Sequence, residues 1–330
     1  MRAFRHDESD RVLVFGPGAR EAGAELIGSG YTLLTTARAA RAAPATAERA
    51  AEVVEVATGL VEDVAGDLLA AVDGTRLVAL GGGRVIDVAK ALVAAGRAES
   101  VVAIPTTLSG AEMTRLHRHA RGVPAGTAHV RPGVVINDPA LSASQPVDQL
   151  AASSANALGH ALVAVASARA DPLSRAVALD AVRHLAAAWD EPAPDRERMA
   201  LGALLAGWAV DHSGLGLHHA LAQTVVRTAS LGHAGANAAL LPETIAACRR
   251  RAPVAVRSLD VAAGEPLESL ACRLRERAPS RVLTPAELEA LLEPALDAAA
   301  ARSELDRIPP VPDRDELRDI IVAALASRPS

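Results

Sequence analysis

Short runs of consecutive apolar residues, each closed by glycine, proline or a hydroxyl residue, recur through the first half of the chain. Residues 11–16 (RVLVFG) and 31–36 (YTLLTT) read as short strands. Residues 76–80 (RLVAL) and 101–104 (VVAI) lack polar alternation and read as strands buried on both faces. Alanine-rich helical stretches separate them, and this alternation predicts an α/β layer with a parallel sheet whose ligands lie beyond the carboxyl ends of the strands. Residues 37–49, rich in Ala and Arg without clear periodicity, read as a loop or weak helix. From about Asp148 the strand pattern stops, and long helical patterns follow, punctuated by Asp171-Pro172, Pro242 and Pro253. Two helix starts there are well specified: Thr284-Pro285-Ala286-Glu287 and Asp313 to Glu316, each a capping residue with a glutamate three positions on. The expected organisation is therefore an α/β domain over 1–147 and an all-helical domain over 148–330.

Composition agrees with that picture. Half of the 330 residues are hydrophobic, mostly Ala and Leu, while aromatics make up 2%, which favours helices over a β-sandwich. A net charge of −5 with scattered arginines offers no phosphate-tracking groove, so no nucleic-acid partner is expected. The opening MRAFRHDESD has no apolar core of a signal peptide, and no apolar run reaches the roughly 18–20 residues of a membrane span. The expectation is a cytoplasmic protein without a membrane partner. Cys248 and Cys272 form no CxxC pair and suggest no chemistry.

The candidate chemistry lies at two places. Gly81-Gly82-Gly83 closes one predicted strand and opens a helix, and PTTLSGAEM, residues 105–113, follows the next strand. A turn made only of glycines lets backbone N–H groups approach a pyrophosphate, which points to a nucleotide-binding enzyme; the plainer reading is a tight strand-to-helix turn. Asp87 and Lys90 on that helix read equally as an exposed pair or as cofactor contacts. In the helical half, Asn156 and His160 stand four apart on one helix face, His218-His219 opens another helix, and His233 falls between glycines. Each histidine alone reads more simply as structural, but three separated ones in a nucleotide-binding chain suggest a site.

These motifs carry a resemblance. GGGRVIDVAKA resembles the GGGSxxDxAKA signature of the iron-containing alcohol dehydrogenase superfamily, which also holds dehydroquinate synthase and glycerol dehydrogenase. PTTLSGAEMT resembles the PTTYAGSEMT of maleylacetate reductases, Asn137-Asp-Pro-Ala-Leu141 their YDPALT, and Gly216-Leu-His-His219 their GLHH; the segment from Pro309 resembles their closing helix.

The resemblance implies a dehydroquinate synthase-like fold and an NAD(P)(H)-dependent oxidoreductase that moves a hydride to or from a small oxygenated substrate. Gly81, Gly82, Gly83, Asp87, Thr106 and Thr107 would hold the cofactor, NAD(H), with NADP(H) also admitted by Arg38 and Arg41. His219 and His233, supported by His160, would serve catalysis, and a homodimer is expected. In metal-dependent members an Asp and three histidines bind the ion. Here those positions are Asn156, His160, His219 and His233, and Asn cannot supply the anionic oxygen, so work without metal is expected. Were a metal present, His160, His219 and His233 would hold it. Gln223 stands where the family has a proton-relaying histidine, Arg84 where it has Ser, and Leu108 and Ala111 where it has hydroxyls. These departures keep two alternatives in view: a tailoring alcohol dehydrogenase of a specialised pathway, and a catalytically degenerate scaffold subunit.

Overall fold

The computed structural model describes residues 2–326 apart from 191–192, 230–231, 280 and 282, and the side chains of 229, 233 and 234 are also outside the description. The chain forms two compact units, Met1–Gln145 with Arg196–Gly207, and Pro146–Asp195 with Trp208–Ser330.

The first unit is built on a sheet of strands β1 (Phe4–Asp7), β2 (Val12–Phe15), β3 (Thr32–Thr35), β4 (Glu52–Glu55), β5 (Arg76–Gly81), β6 (Ser100–Pro105) and β7 (Val134–Asn137). Their order is β1-β2-β7-β6-β5-β3-β4, parallel throughout except for β1, which pairs antiparallel with β2. The sheet is thus mixed, with one antiparallel edge. Its inner strands carry the apolar runs, and alternate residues face opposite layers. Leu77, Ala79, Val101 and Ala103 pack with Ile86 and Leu92 of the Gly83–Ala94 helix, whereas Val78, Leu80, Val102 and Ile104 pack with Leu33 and Ile136.

The strands absent from the sequence reading are the two edges and β7. All four residues of β1, FRHD, are exposed, and β4 is EVVE with both glutamates exposed. Charged, solvent-facing edge strands give no apolar signal, and their charge blocks further pairing. Residues 37–49 form two short helices, Ala37–Ala42, capped by Thr36, and Pro44–Glu48.

Connections fix where a ligand can enter. From β3 the chain moves outward to β4, and from β5 it moves the opposite way to β6. The topological switch point, the place where such sheets take ligands beyond their carboxyl ends, therefore lies between β3 and β5, next to Gly81. Thr35 at the end of β3 donates its hydroxyl to the Leu80 carbonyl at 2.8 Å, tying the two strand ends together.

In the second unit every regular element among the described residues is helical. The Pro172–Ala187 helix starts with a reciprocal box between Asp171 and Ser174, and the Pro285–Ala300 helix with one between Thr284 and Glu287. Asp313 accepts from the Glu316 amide at 2.8 Å and caps the Arg314–Leu325 helix. Leu221, Leu240, Leu296 and Ile321 belong to the apolar cluster that joins four of these helices.

Candidate active site

In the first unit, β5 and β6 run in register so that Gly81 stands opposite Pro105, and both motifs leave the sheet at the same edge. The Thr106 amide donates to the Gly81 carbonyl at 2.9 Å. A Cβ on Gly82 would lie 3.1 Å from Thr107 Oγ1, and one on Gly83 would lie 2.9 Å from Ser109 Cβ. Gly81, Gly82, Gly83, Thr106 and Thr107 therefore form one cluster, and the glycines let the loop after β6 lie flat on the turn after β5. None of the three has a left-handed φ, so close approach is what selects glycine here. No side chain caps the Gly83–Ala94 helix, leaving its first-turn amides to a ligand or to water.

One turn along, Asp87 lies 2.7 Å from Lys90 Nζ. The pair is not an exposed one: the Lys90 side chain is fully buried, and its ammonium donates to the carbonyls of Ala111 at 2.9 Å, Thr114 at 3.0 Å and Leu116 at 3.1 Å. A compact ammonium with three rotatable donors suits three converging carbonyls, where a planar guanidinium would not. Lys90 is the only lysine in a chain with 34 basic residues, a signal the sequence did offer. Beside it Glu112 is buried, and burial pushes its carboxyl up to about 7, against the opposing pull of its own backbone hydrogen bond and of Lys90. Leu108 and Ala111 are also buried, and Ala111 packs with Val85 and Ile86 in the sheet core. Arg84 holds the second helical position, with its Nε buried and without an acceptor.

Three histidines crowd the following loop. His117 Nε2 accepts from the Val130 amide at 3.0 Å, which leaves Nδ1 protonated toward the Arg118 carbonyl at 3.0 Å. The ring is thus held neutral, and burial, with Lys90 and the neighbouring imidazoles, pulls its pKa down to about 4.

In the second unit the Val147–Ala166 helix carries Asn156 and His160, and the Leu217–Ala229 helix carries His218, His219 and Gln223. His160 and His219 come together as stacked, buried rings, with centroids 4.5 Å apart and planes 14° from parallel. His219 meets His218 edge-on at 4.9 Å. His218 is fully buried and lies 3.0 Å through Nδ1 from Thr244 Oγ1, whose hydroxyl donates to a carbonyl of its own helix, so Nδ1 carries the proton. Room for this ring comes from Gly159, where a Cβ would sit 2.3 Å from His218 Cδ2. A lone glycine in an alanine-rich helix is the sequence signal for such a contact. Gln223 accepts through Oε1 from Arg302 at 2.7 Å, and Arg302 also pairs with Glu304 at 2.6 Å. His233 opens the His233–Arg251 helix, but its side chain lies outside the described residues.

The lone pair of an imidazole nitrogen lies in the ring plane, so two stacked, near-parallel rings do not aim at one ion. His160 and His219 as placed do not fit a shared cation, and no group of three or more ligating side chains that could hold a metal occurs among the described residues. No helix among them is long and apolar enough to cross a membrane.

Residues 150–283 match the model of the Fe-containing alcohol dehydrogenase family, C-terminal. A solved maleylacetate reductase from Rhizobium sp. strain MTP-10005 superposes with a TM-score of 0.79 at 27% identity, covering 98% of each chain. The chain belongs to the iron-containing alcohol dehydrogenase superfamily. An iron-containing alcohol dehydrogenase from Corynebacterium glutamicum superposes on this superfamily member with a TM-score of 0.81 at 27% identity, over 99% of this chain and 98% of that one. By sequence, the maleylacetate reductase of Pseudomonas aeruginosa is 32% identical over 173 residues, 50% of this chain and 49% of that protein. The sequence match thus spans about half the length of such curated relatives.

Proposed function

We propose that this superfamily member is an NAD(P)(H)-dependent oxidoreductase of the maleylacetate reductase type, acting on a small oxygenated substrate without a metal ion, as a cytoplasmic homodimer. The observation that carries the reading is the uncapped helix start behind Gly81-Gly82-Gly83, set at the topological switch point between β3 and β5. That end fits a diphosphate: Asp87 is engaged by Lys90, so no free carboxylate opposes an anion there. A bound nicotinamide dinucleotide supplies or accepts the hydride.

The remaining work falls to the chain. Gly81, Gly82 and Gly83, with Thr106, Thr107 and Asp87, bind and orient the cofactor. His219 and His160, with His233, donate hydrogen bonds to the oxyanion or enolate that develops on the substrate. His218 holds its neighbour His219 in place through the Thr244 bond. Work without metal is supported by the amide of Asn156 in place of a carboxylate and by the stacked rings of His160 and His219. Gln223, turned by Arg302 so that its carbonyl is occupied, acts as a fixed dipole and relays no proton at neutral pH.

Titration of the full chain with NADH and with NADPH, followed by nucleotide fluorescence, tests the reading. Binding is expected, together with oxidation of the bound nucleotide on addition of maleylacetate or a related oxo acid. The His219→Ala and His233→Ala variants should bind nucleotide normally and lose turnover by about 100-fold or more. Unchanged fluorescence with both nucleotides would favour a scaffold subunit and end the proposal. Binding with turnover only of a secondary alcohol would move the chain to the tailoring dehydrogenases.

A further inference from the structure

The first turn of the Gly83–Ala94 helix holds a charge that the fold leaves unanswered. Arg84 is its second residue, where the helix dipole is already positive, so a guanidinium there works against the helix. Its Nε is buried without an acceptor, and no carboxylate pairs with the group among the described residues. Several other arginines of the same unit, though not all, meet carboxylates: Arg11 meets Glu8 at 2.8 Å, Arg20 Asp138 at 3.0 Å, Arg121 Asp67 at 2.6 Å and Arg131 Asp10 at 2.6 Å. Asp87, the acidic residue nearest along the helix, is held by Lys90. Two sources of positive potential, the helix end and an unpaired arginine on its first turn, thus belong to the helix that the glycine turn opens, at the topological switch point between β3 and β5.

We infer that Arg84 is a clamp for the diphosphate of the dinucleotide, gripping its oxygens with the guanidinium fork while the glycine turn admits the backbone amides. The inference rests on the oxidoreductase reading above and adds to it a residue that decides how tightly the cofactor is held. The chemistry is specific. A fork of parallel N–H groups matches two oxygens of a phosphate, and the helix end favours the same anion. A ligand lacking the diphosphate gains nothing from it.

The test compares the full chain with Arg84→Ala and Arg84→Lys, measuring NADH and NADPH affinity by fluorescence, and ADP-ribose and adenosine by displacement. Arg84→Ala should weaken NADH, NADPH and ADP-ribose alike, by about 10- to 100-fold, while adenosine is unaffected. Arg84→Lys, which keeps the charge and loses the fork, should recover part of that affinity. Binding in the wild type should also weaken as salt rises, and do so less in Arg84→Ala. Unfolding midpoints serve as the control, and Arg84→Gln takes the place of the alanine variant should the latter not fold. Unchanged or tighter binding in the variants would overturn the inference and make Arg84 an obstruction. A loss confined to NADPH would overturn it too, assigning the arginine to a 2′-phosphate. A wild type that binds no nucleotide removes the oxidoreductase reading itself, a result distinct from both.

Discussion

Replacing Gly159 by alanine isolates the contact between the Val147–Ala166 helix and His218. In an ordinary helix interior this change stabilises by about 1 kcal/mol, because alanine loses less backbone freedom. Here the added Cβ would stand 2.3 Å from His218 Cδ2, more than 1 Å inside van der Waals contact, and 2.8 Å from Nε2. The ring is fully buried and tied to Thr244 at 3.0 Å, so it can yield only by straining its packing and that hydrogen bond. Overpacking costs about 1–3 kcal/mol and a disrupted buried hydrogen bond about 1–3 kcal/mol. Set against the propensity gain, the net is a loss of about 1–5 kcal/mol, opposite in sign to the helix-propensity expectation. Urea unfolding followed by far-UV circular dichroism reads it directly. The double variant Gly159→Ala, His218→Ala should be less destabilised than the sum of the two single changes, since the ring that clashes is gone. A Gly159→Ala protein as stable as the wild type would refute the packing argument.

Other expectations follow from the charged and titrating groups. Lys90→Arg should destabilise by about 3–5 kcal/mol in the same urea assay despite keeping the charge, because the larger group cannot meet three carbonyls; wild-type stability would contradict that account of the buried ammonium. Glu112, whose carboxyl burial raises from 4.5 to about 7, holds in the folded state a proton that the unfolded chain releases. Its contribution is therefore lost as pH climbs from about 4.5 and is gone above about 7, so Glu112→Gln should match the wild type near pH 4 and exceed it by on the order of 2–3 kcal/mol near pH 8. His117 has the opposite profile: with its pKa pulled down to about 4, its support is full above about 6.5 and fades as pH falls toward 4. Exchange protection of the Val130 amide, measured by hydrogen exchange across that window, should fall with it. Gln223→His should place a titrating imidazole against Arg302 and add a new inflection near neutral pH to the rate profile of any turnover; an unaltered profile would show that position 223 does not adjoin the reacting groups.

What the sequence made legible was local. Strands β3, β5 and β6 are apolar runs, the glycine turn and the capping boxes are contiguous motifs, and each acts within a few residues of itself. Strands β1 and β4 carry charge where a strand pattern would need burial, and edges require neither. The pairing of His160 with His219 was foreshadowed by their motifs, but its stacked geometry was not, since ring orientation depends on how two helices pack. Arg302 meets Gln223 across 79 positions of sequence, and Thr244 meets His218 across 26, separations that no spacing rule encodes. Lys90 read equally as one half of an exposed i,i+3 pair or as a cofactor contact; only the three carbonyls of residues 111–116 reveal why it is buried.

That single lysine has a consequence beyond the loop it anchors. With its ammonium enclosed and every other basic side chain an arginine or histidine, the folded molecule presents no ε-amine to solvent. Acylating reagents and enzymes that conjugate to lysine find their one internal target only after the segment around Ala111 to Leu116 has peeled away. The rate of acylation at Lys90 is therefore a direct clock of that opening.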